Sequence, residues 1–217
     1  SPSTITKLVF LTNAFNVGAG SVTSTLSADI DGVNTSIIVG DTTGFPASGI
    51  LLIDSERIIY TSKTSNTFTG CTRGAFGTTA TTHSALTIAK SLNMMKIQTQ
   101  DIYSNPSNVV GDTAIALSSN PSTGATFSTD GVIWTATQSV ITASTNVGTF
   151  YYETTKVGSP IVTVDETPPA SPNWTLATQT QTIQGGSPYQ LVFTSSFRTI
   201  VAGTIGTTNG SGYPITL

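Results

Sequence analysis

The sequence predicts an all-β protein, and two observations carry this prediction. Of 217 residues, 42 are Thr and 26 are Ser, and Val and Ile are frequent among the apolar positions. Residues branched at Cβ lose rotamer freedom in a helix and pack well on a pleated surface. Short apolar runs also recur about every ten residues between Gly, Pro, Asn or Asp, which is the spacing of strands in a sandwich or small barrel.

The clearest strands follow in chain order. They are predicted at 7–11, 49–53, 57–61, 149–153 and 161–164. Between the second and third, Asp54-Ser55-Glu56 predicts a tight hairpin connection. In the fourth, alternation places Phe150 and Tyr152 on one face and Tyr151 on the other. We therefore expect a core role for the first two and a partly exposed Tyr151, in preference to a sugar-stacking platform.

Composition excludes several classes of protein. The chain has 8 Lys+Arg against 11 Asp+Glu, and only 9% of its residues are charged. A nucleic-acid binder would need a clustered basic surface, so we predict no nucleic-acid partner. No run of about 18 apolar residues occurs, so we predict no membrane span. Cys71 is the single cysteine and cannot build a disulfide framework. This composition indicates an extracellular, cell-surface or virion setting.

An internal repeat suggests the domain plan. Lys7–Phe10 matches 190–193 and Ala19-Gly20 matches Ala202-Gly203, both at an offset of 183 residues. The first copy carries an insert of about 65 residues, which leaves a unit of about 118 residues, the size of an immunoglobulin-like sandwich. The predicted domains are a sandwich formed by 1–28 plus 93–166, a small inserted β module at 29–92, a Pro-rich linker at 167–175 and an incomplete second unit at 176–217.

Two resemblances extend this plan. Gly70-Cys71-Thr72-Arg73-Gly74, followed by Gly77-Thr78-Thr79 and His83, resembles a small β module of bacteriophage virion proteins and some bacterial surface proteins. The segment 150–158, FYYETTKVG, together with 116–128 and 139–164, is similar to immunoglobulin-like tandem repeats of large bacterial and phage surface proteins. These resemblances imply a non-enzymatic, surface-exposed scaffold.

The insert contains the candidate contact residues Arg73, Phe76 and His83. For Arg73, an ion pair with Asp54 or Glu56 is the favoured alternative to ligand contact. His83 and Cys71 invite a nucleophile–base interpretation, but no third orienting group is identifiable. Catalysis by Asp54 and Glu56 is disfavoured because a hairpin tip is expected to be exposed.

No catalytic, cofactor-binding or metal-binding residue is predicted. Calcium is a weak alternative, because Asp29 and Asp31 superficially match the start of a calcium loop but lack its later ligands. Asp41 and Asp101 are the residues that could complete such a site after folding.

The predicted function is structural, and we predict no enzyme activity. We expect a building block of a fibre or surface assembly whose partners are copies of itself or neighbouring subunits. Because the second unit stops at Leu217, the chain is either part of a longer tandem protein or donates a strand through Leu191, Val192 and Phe193. The alternative is an adhesin module that binds a host glycan or receptor.

Overall fold

The computed structural model describes residues 4–18, 20–169 and 173–185, all within one compact unit, Ser1–Gly185. The described residues are all-β, as predicted, with one short 3-10 turn at Ala75–Gly77. Their strands are β1 (Lys7–Phe10), β2 (Asn16–Gly18), β3 (Thr23–Thr25), β4 (Ser36–Ile38), β5 (Gly49–Ile53), β6 (Glu56–Tyr60), β7 (Ser62–Lys63), β8 (Thr67–Thr69), β9 (Ile88–Leu92), β10 (Met94–Gln100), β11 (Thr113–Asn120), β12 (Ala125–Ser128), β13 (Gln138–Ile141), β14 (Val147–Thr154), β15 (Ile161–Glu166), β16 (Ala177–Thr180) and β17 (Thr182–Gln184).

Two antiparallel four-stranded sheets form what we call the sandwich lobe (4–18, 93–169 and 173–185). Their strand orders are β1-β10-β14-β12 and β13-β11-β15-β16. Both sheets contribute side chains to one core, an arrangement compatible with a β-sandwich. That core consists of Leu8, Met95, Ile97, Val109, Ile115, Leu117, Phe127, Ile141, Phe150, Tyr152, Val162, Val164 and Ala177.

Alternation along β14 separates its aromatic side chains as expected. Phe150 and Tyr152 face the sandwich core, where both contact Phe127 ring to ring. Tyr151 points to the other face, but the expectation of partial exposure is wrong because only 2% of this residue is accessible. Its ring is covered by the second lobe.

The second lobe, which we call the module lobe (22–92), has its own core. A sheet of order β3-β9-β5-β6 and a smaller sheet of order β4-β8-β7 enclose it. The predicted tight hairpin is confirmed, but because Ile53 pairs with Glu56 its loop is Asp54-Ser55, and Glu56 belongs to β6. The lobe begins earlier than the expected boundary at residue 29, because β3 pairs with β9 and Leu26 is fully buried.

The predicted boundary at residue 176 also needs correction. β16 continues the sheet beyond β15, and Ala177 belongs to the sandwich core. β17 pairs in parallel with β2. Residues 177–184 therefore complete the sandwich lobe, since without them β15 would be an open edge of its sheet. Within the expected linker at 167–175, Thr175 bridges Lys7 in parallel. Leu191, Val192 and Phe193 lie outside the described residues.

No helix in the described ranges has the length and apolar character needed to cross a membrane.

Candidate functional site

The most concentrated polar cluster lies at one end of the module lobe. Its members are Asp54, Glu56, Arg73 and His83, which come from three chain segments. Asp54 occupies the β5–β6 loop with a left-handed φ of 52°, and Glu56 begins β6. Arg73 follows the bridge between Ile59 and Thr72, and His83 is held by its bridge to Ile30. Backbone pairing therefore places the segments that carry these four side chains close together.

Glu56 is the centre of this cluster. Arg73 donates Nε–H to Oε1 at 2.8 Å and Nη2–H to Oε2 at 2.7 Å, a bidentate ion pair. The backbone N–H groups of Gly74 and Thr81 donate to the same carboxylate at 2.8 and 3.2 Å. Burial raises the pKa of Glu56, but these bonds and that of His83 outweigh it and bring the pKa from 4.5 to about 2.

His83 connects Glu56 to Asp54. Its Nε2 lies 2.8 Å from Glu56 Oε2 and its Nδ1 lies 2.7 Å from Asp54 Oδ2. The side chains of Glu56 and His83 are 0% and 1% exposed, whereas that of Asp54 is 62% exposed. The imidazole therefore joins an accessible carboxylate to a buried one.

This geometry confirms the predicted ion pair of Arg73 and assigns it to Glu56. It corrects two other expectations. Glu56 is not exposed at the hairpin tip, because it lies on the inward face of β6 with Ile58 and Tyr60. Arg73 and His83 are not surface contact residues, because their side chains are enclosed and Arg73 also donates to the carbonyl groups of Asp31 and Thr81.

Phe76 is the exception among the predicted contact residues. It is 39% exposed and has a left-handed φ of 54°. The guanidinium of Arg57 lies 5.7 Å from the centre of its ring and donates to its carbonyl at 2.7 Å. Phe76 thus remains available at the surface.

Cys71 is a core residue rather than a nucleophile. Its Sγ is 3.6 Å from the Phe68 carbonyl oxygen, inside the module core. Burial, against a smaller opposing effect of Arg73, raises the pKa of the Cys71 thiol to about 11. The thiolate, which is the reactive form, is therefore scarce at neutral pH.

The aspartates that were considered as calcium ligands accept backbone hydrogen bonds that cap turns. Asp29 accepts from the Ala85 N–H and Asp31 from the Val33 N–H. Asp41 accepts from the N–H of Thr43, and Asp101 from the N–H groups of Tyr103 and Asn105. Within the part of the chain that the structure describes, no three His, Cys, Asp or Glu residues are placed to share a metal ion.

The junction between the two lobes was not foreseen from the sequence. Tyr151 packs against Ile50, Leu52 and Leu92 in a third apolar cluster. Arg57 Nη1 donates to the Tyr151 hydroxyl at 3.0 Å. The apolar faces of the insert were a signal for it, since Ile50 and Leu52 alternate with the core residues Leu51 and Ile53. A strand with two apolar faces is expected to be covered on both sides.

A second set of contacts supports the same junction. Lys90 on β9 forms a 2.9 Å ion pair with Glu153 on β14. Its ammonium group also lies 4.5 Å from the ring centre of Trp134. Polar contacts from both lobes thus flank the apolar junction cluster.

Searches of protein-family models, of curated proteins and of solved structures found no match to the chain.

Proposed function

We propose that this chain is a non-enzymatic structural building block of an extracellular or virion fibre or surface coat, and that it associates head to tail through immunoglobulin-like sandwich domains. Its partners are further copies of itself or neighbouring structural subunits.

The observation that carries this proposal is the parallel pairing of the first and last segments of the sandwich lobe. Leu8 N–H donates to the Thr175 carbonyl and Thr175 N–H to that of Thr6, at 2.9 and 2.8 Å. Further along both segments, β2 (Asn16–Gly18) and β17 (Thr182–Gln184) are still parallel partners. Because both segments run in the same direction, the chain enters the lobe at one end and leaves it at the other. Such a unit passes tension along its length.

The junction between the lobes supports the same function. The apolar cluster around Tyr151 and the ion pair of Lys90 with Glu153 fasten the module lobe to the sandwich lobe. In a subunit whose lobes are joined in this way, a displacement of one lobe moves the other lobe, and a force on one lobe acts on the other. A flexible tether would need few such contacts.

The polar cluster of the module lobe favours a structural role over a catalytic one. Both oxygens of Glu56 accept hydrogen bonds from within the protein, and its low pKa keeps it ionised at neutral pH. A general acid or base needs a pKa near the working pH and an approach for substrate. Glu56 instead ties three segments together.

The test is the association state of the purified 217-residue chain. Mass photometry over a concentration series and negative-stain imaging should show linear oligomers with a repeat of one subunit. A chain that stays monomeric throughout the series would overturn the proposed head-to-tail association. Closed dimers would also contradict it, since a two-fold contact cannot extend.

A further inference from the structure

A groove of about 530 Å³ lies where the two lobes meet. One wall is the segment 12–17 of the sandwich lobe, and the other is formed by the start of β5 in the module lobe. The connection from β9 to β10, at 92–94, forms its base. Ligand sites are commonly clefts of about 300–1,000 Å³ at the boundary between structural units. The groove falls within that range.

Three asparagines give the groove its polar character. Asn13 and Asn16 lie on the wall from the sandwich lobe, and Asn93 lies between β9 and β10. Asn13 and Asn16 are exposed and Asn93 is half-buried, and none of their side-chain amides has a hydrogen-bond partner among the described residues. Each amide offers one carbonyl acceptor and two N–H donors. They stand in contrast to Gln179 and Gln181, whose amides bond to the protein backbone.

The remaining lining is mostly apolar, apart from the hydroxyl residues Thr12 and Ser48, and includes an aromatic ring. Phe15 and Met94 are half-buried, and Ile50 and Leu92 are buried. No Asp, Glu, Lys or Arg belongs to the described residues that line the groove. The groove therefore favours a ligand without net charge that presents polar edges and an apolar face.

We propose that this groove binds a neutral saccharide. The hydroxyl groups of a sugar are both donors and acceptors, which matches amides that are both as well. The C–H face of a pyranose ring is apolar and can lie against the accessible parts of Phe15 and Met94, whose buried parts pack against the sandwich core and the junction cluster. A sulfated or sialylated glycan would find no cation among the lining residues, so the site selects uncharged sugars.

Two other depressions fit this ligand less well. The one near His83 is lined by the carboxylates of Asp29 and Asp31, which already cap turns. The one beside Trp134 has the most suitable aromatic side chain, but the Lys90 ammonium lies over that ring.

The experiment uses the full chain, fluorescently labelled, on an array that carries both neutral and acidic glycans. We expect binding confined to neutral oligosaccharides. Titration calorimetry with the strongest neutral glycan should then show an affinity about tenfold lower for Asn16→Ala and for Asn93→Ala, as expected for the loss of one or two hydrogen bonds. The matched control is Gln138→Ala, which removes an exposed amide from β13, outside the groove.

Absence of binding to any neutral glycan would overturn the proposal, and so would binding to acidic glycans alone. Equal affinity of Asn16→Ala, Asn93→Ala and Gln138→Ala would also overturn it, provided circular dichroism shows all three folded. The result is independent of the association test, because a chain can bind glycan without assembling and can assemble without binding glycan.

Discussion

At the scale of single residues, one buried carboxylate organises the end of the module lobe. A buried charge is costly unless it is paired and hydrogen-bonded. Glu56 meets this condition through Arg73, His83 and two backbone N–H groups. The loops that carry Arg73 and His83 are held by the backbone bridges at Thr72 and His83, and beyond these bridges they depend on their bonds to Glu56. The His83 bridge extends the dependence to Asp54 at the surface.

Glu56→Gln tests this dependence. The change leaves the Arg73 guanidinium buried beside a neutral amide, and we expect the free energy of unfolding to fall by about 3 kcal/mol. Urea denaturation followed by circular dichroism measures it. The control is Asp54→Asn, which alters the exposed member of the cluster and should cost less than about 1 kcal/mol. Equal losses for the two variants would contradict the central role of Glu56.

The low pKa of Glu56 also predicts how stability depends on pH. Its folded-state pKa is about 2, against an ordinary value of 4.5. The folded state therefore releases the proton more readily than the unfolded state, so this contribution is fully present above about pH 5 and is lost as the pH falls towards 2. The difference corresponds to about 3 kcal/mol. Denaturation at a series of pH values should show the loss in the wild-type chain and a much flatter profile between pH 5 and 2 in Glu56→Gln.

At the scale of elements, the backbone pairing between the first and last segments of the sandwich lobe is interrupted, and side-chain hydrogen bonds join the two segments there. Backbone pairing holds Leu8 to Thr175 and β2 to β17, and the Thr182 N–H donates to the Phe15 carbonyl at 2.8 Å, but residues 12–14 lie between these two ladders. Gln179 Nε2 donates to the Thr12 carbonyl at 2.7 Å. Gln181 is fully buried, and its Oε1 accepts from the Phe15 N–H at 2.7 Å. Two glutamines thus add side-chain bonds between the two segments beside the backbone bond at Phe15.

We therefore expect Gln181→Ala to lower the stability of the fold. It leaves the Phe15 N–H without its acceptor in a partly buried position, and we expect a loss of about 1–3 kcal/mol in the free energy of unfolding. Gln138→Ala is the matched control, because it removes the same side chain from an exposed site on β13 and should change stability by less than about 0.5 kcal/mol. Hydrogen exchange would localise the effect to the segments 6–18 and 174–184. A uniform loss of protection from hydrogen exchange throughout the sandwich lobe would contradict this local role of Gln181.

The elements also show where sequence reasoning succeeds. Period-two alternation is a local signal, and it correctly separates Phe150 and Tyr152 from Tyr151. The hairpin at Asp54-Ser55 is local as well. The role of Gln181 has no such signal, because its acceptor bond depends on a residue 166 positions away. The burial of Glu56 was missed for a similar reason: its partners come from 73–83, and only their approach makes an inward-facing carboxylate tolerable.

At the scale of the whole molecule, the two lobes are coupled through one apolar junction. Tyr151 belongs to a strand of the sandwich lobe and is covered by Ile50, Leu52 and Leu92. The boundary between 92 and 93 could be placed from sequence, but the start of the module lobe and the end of the sandwich lobe could not, because β3 joins β9 and β16 joins β15 through pairings that only the folded chain defines. The general position of the insert was visible in the interrupted repeat, whereas its attachment was not.

Tyr151→Ala should uncouple the lobes. Truncating a buried aromatic side chain costs about 3–5 kcal/mol in the free energy of unfolding. Because this ring packs between two separate cores, we expect calorimetry to resolve two unfolding transitions where the wild type has one. Tyr151→Phe keeps the ring and removes only the hydroxyl bonded to Arg57, so it should lower stability by about 1 kcal/mol and preserve a single transition. Two transitions already present in the wild type would contradict the coupling.

The parallel ends of the sandwich lobe predict a directional response to force. With handles at Thr4 and Gly185, the pull runs along β1, β2, β16 and β17, so the bonds of Leu8, Thr175 and Thr182 share the load. With handles at Gly20 and Gly185, both forces act at the same end, and the β2–β17 bonds break one after another. We therefore expect a clearly higher rupture force in the first geometry. Gln181→Ala should lower the force in that geometry more than in the second, because it weakens the contact in the middle of the loaded segment. Equal forces in the two geometries would show that another part of the lobe yields first, and the parallel contact would then not be what carries tension.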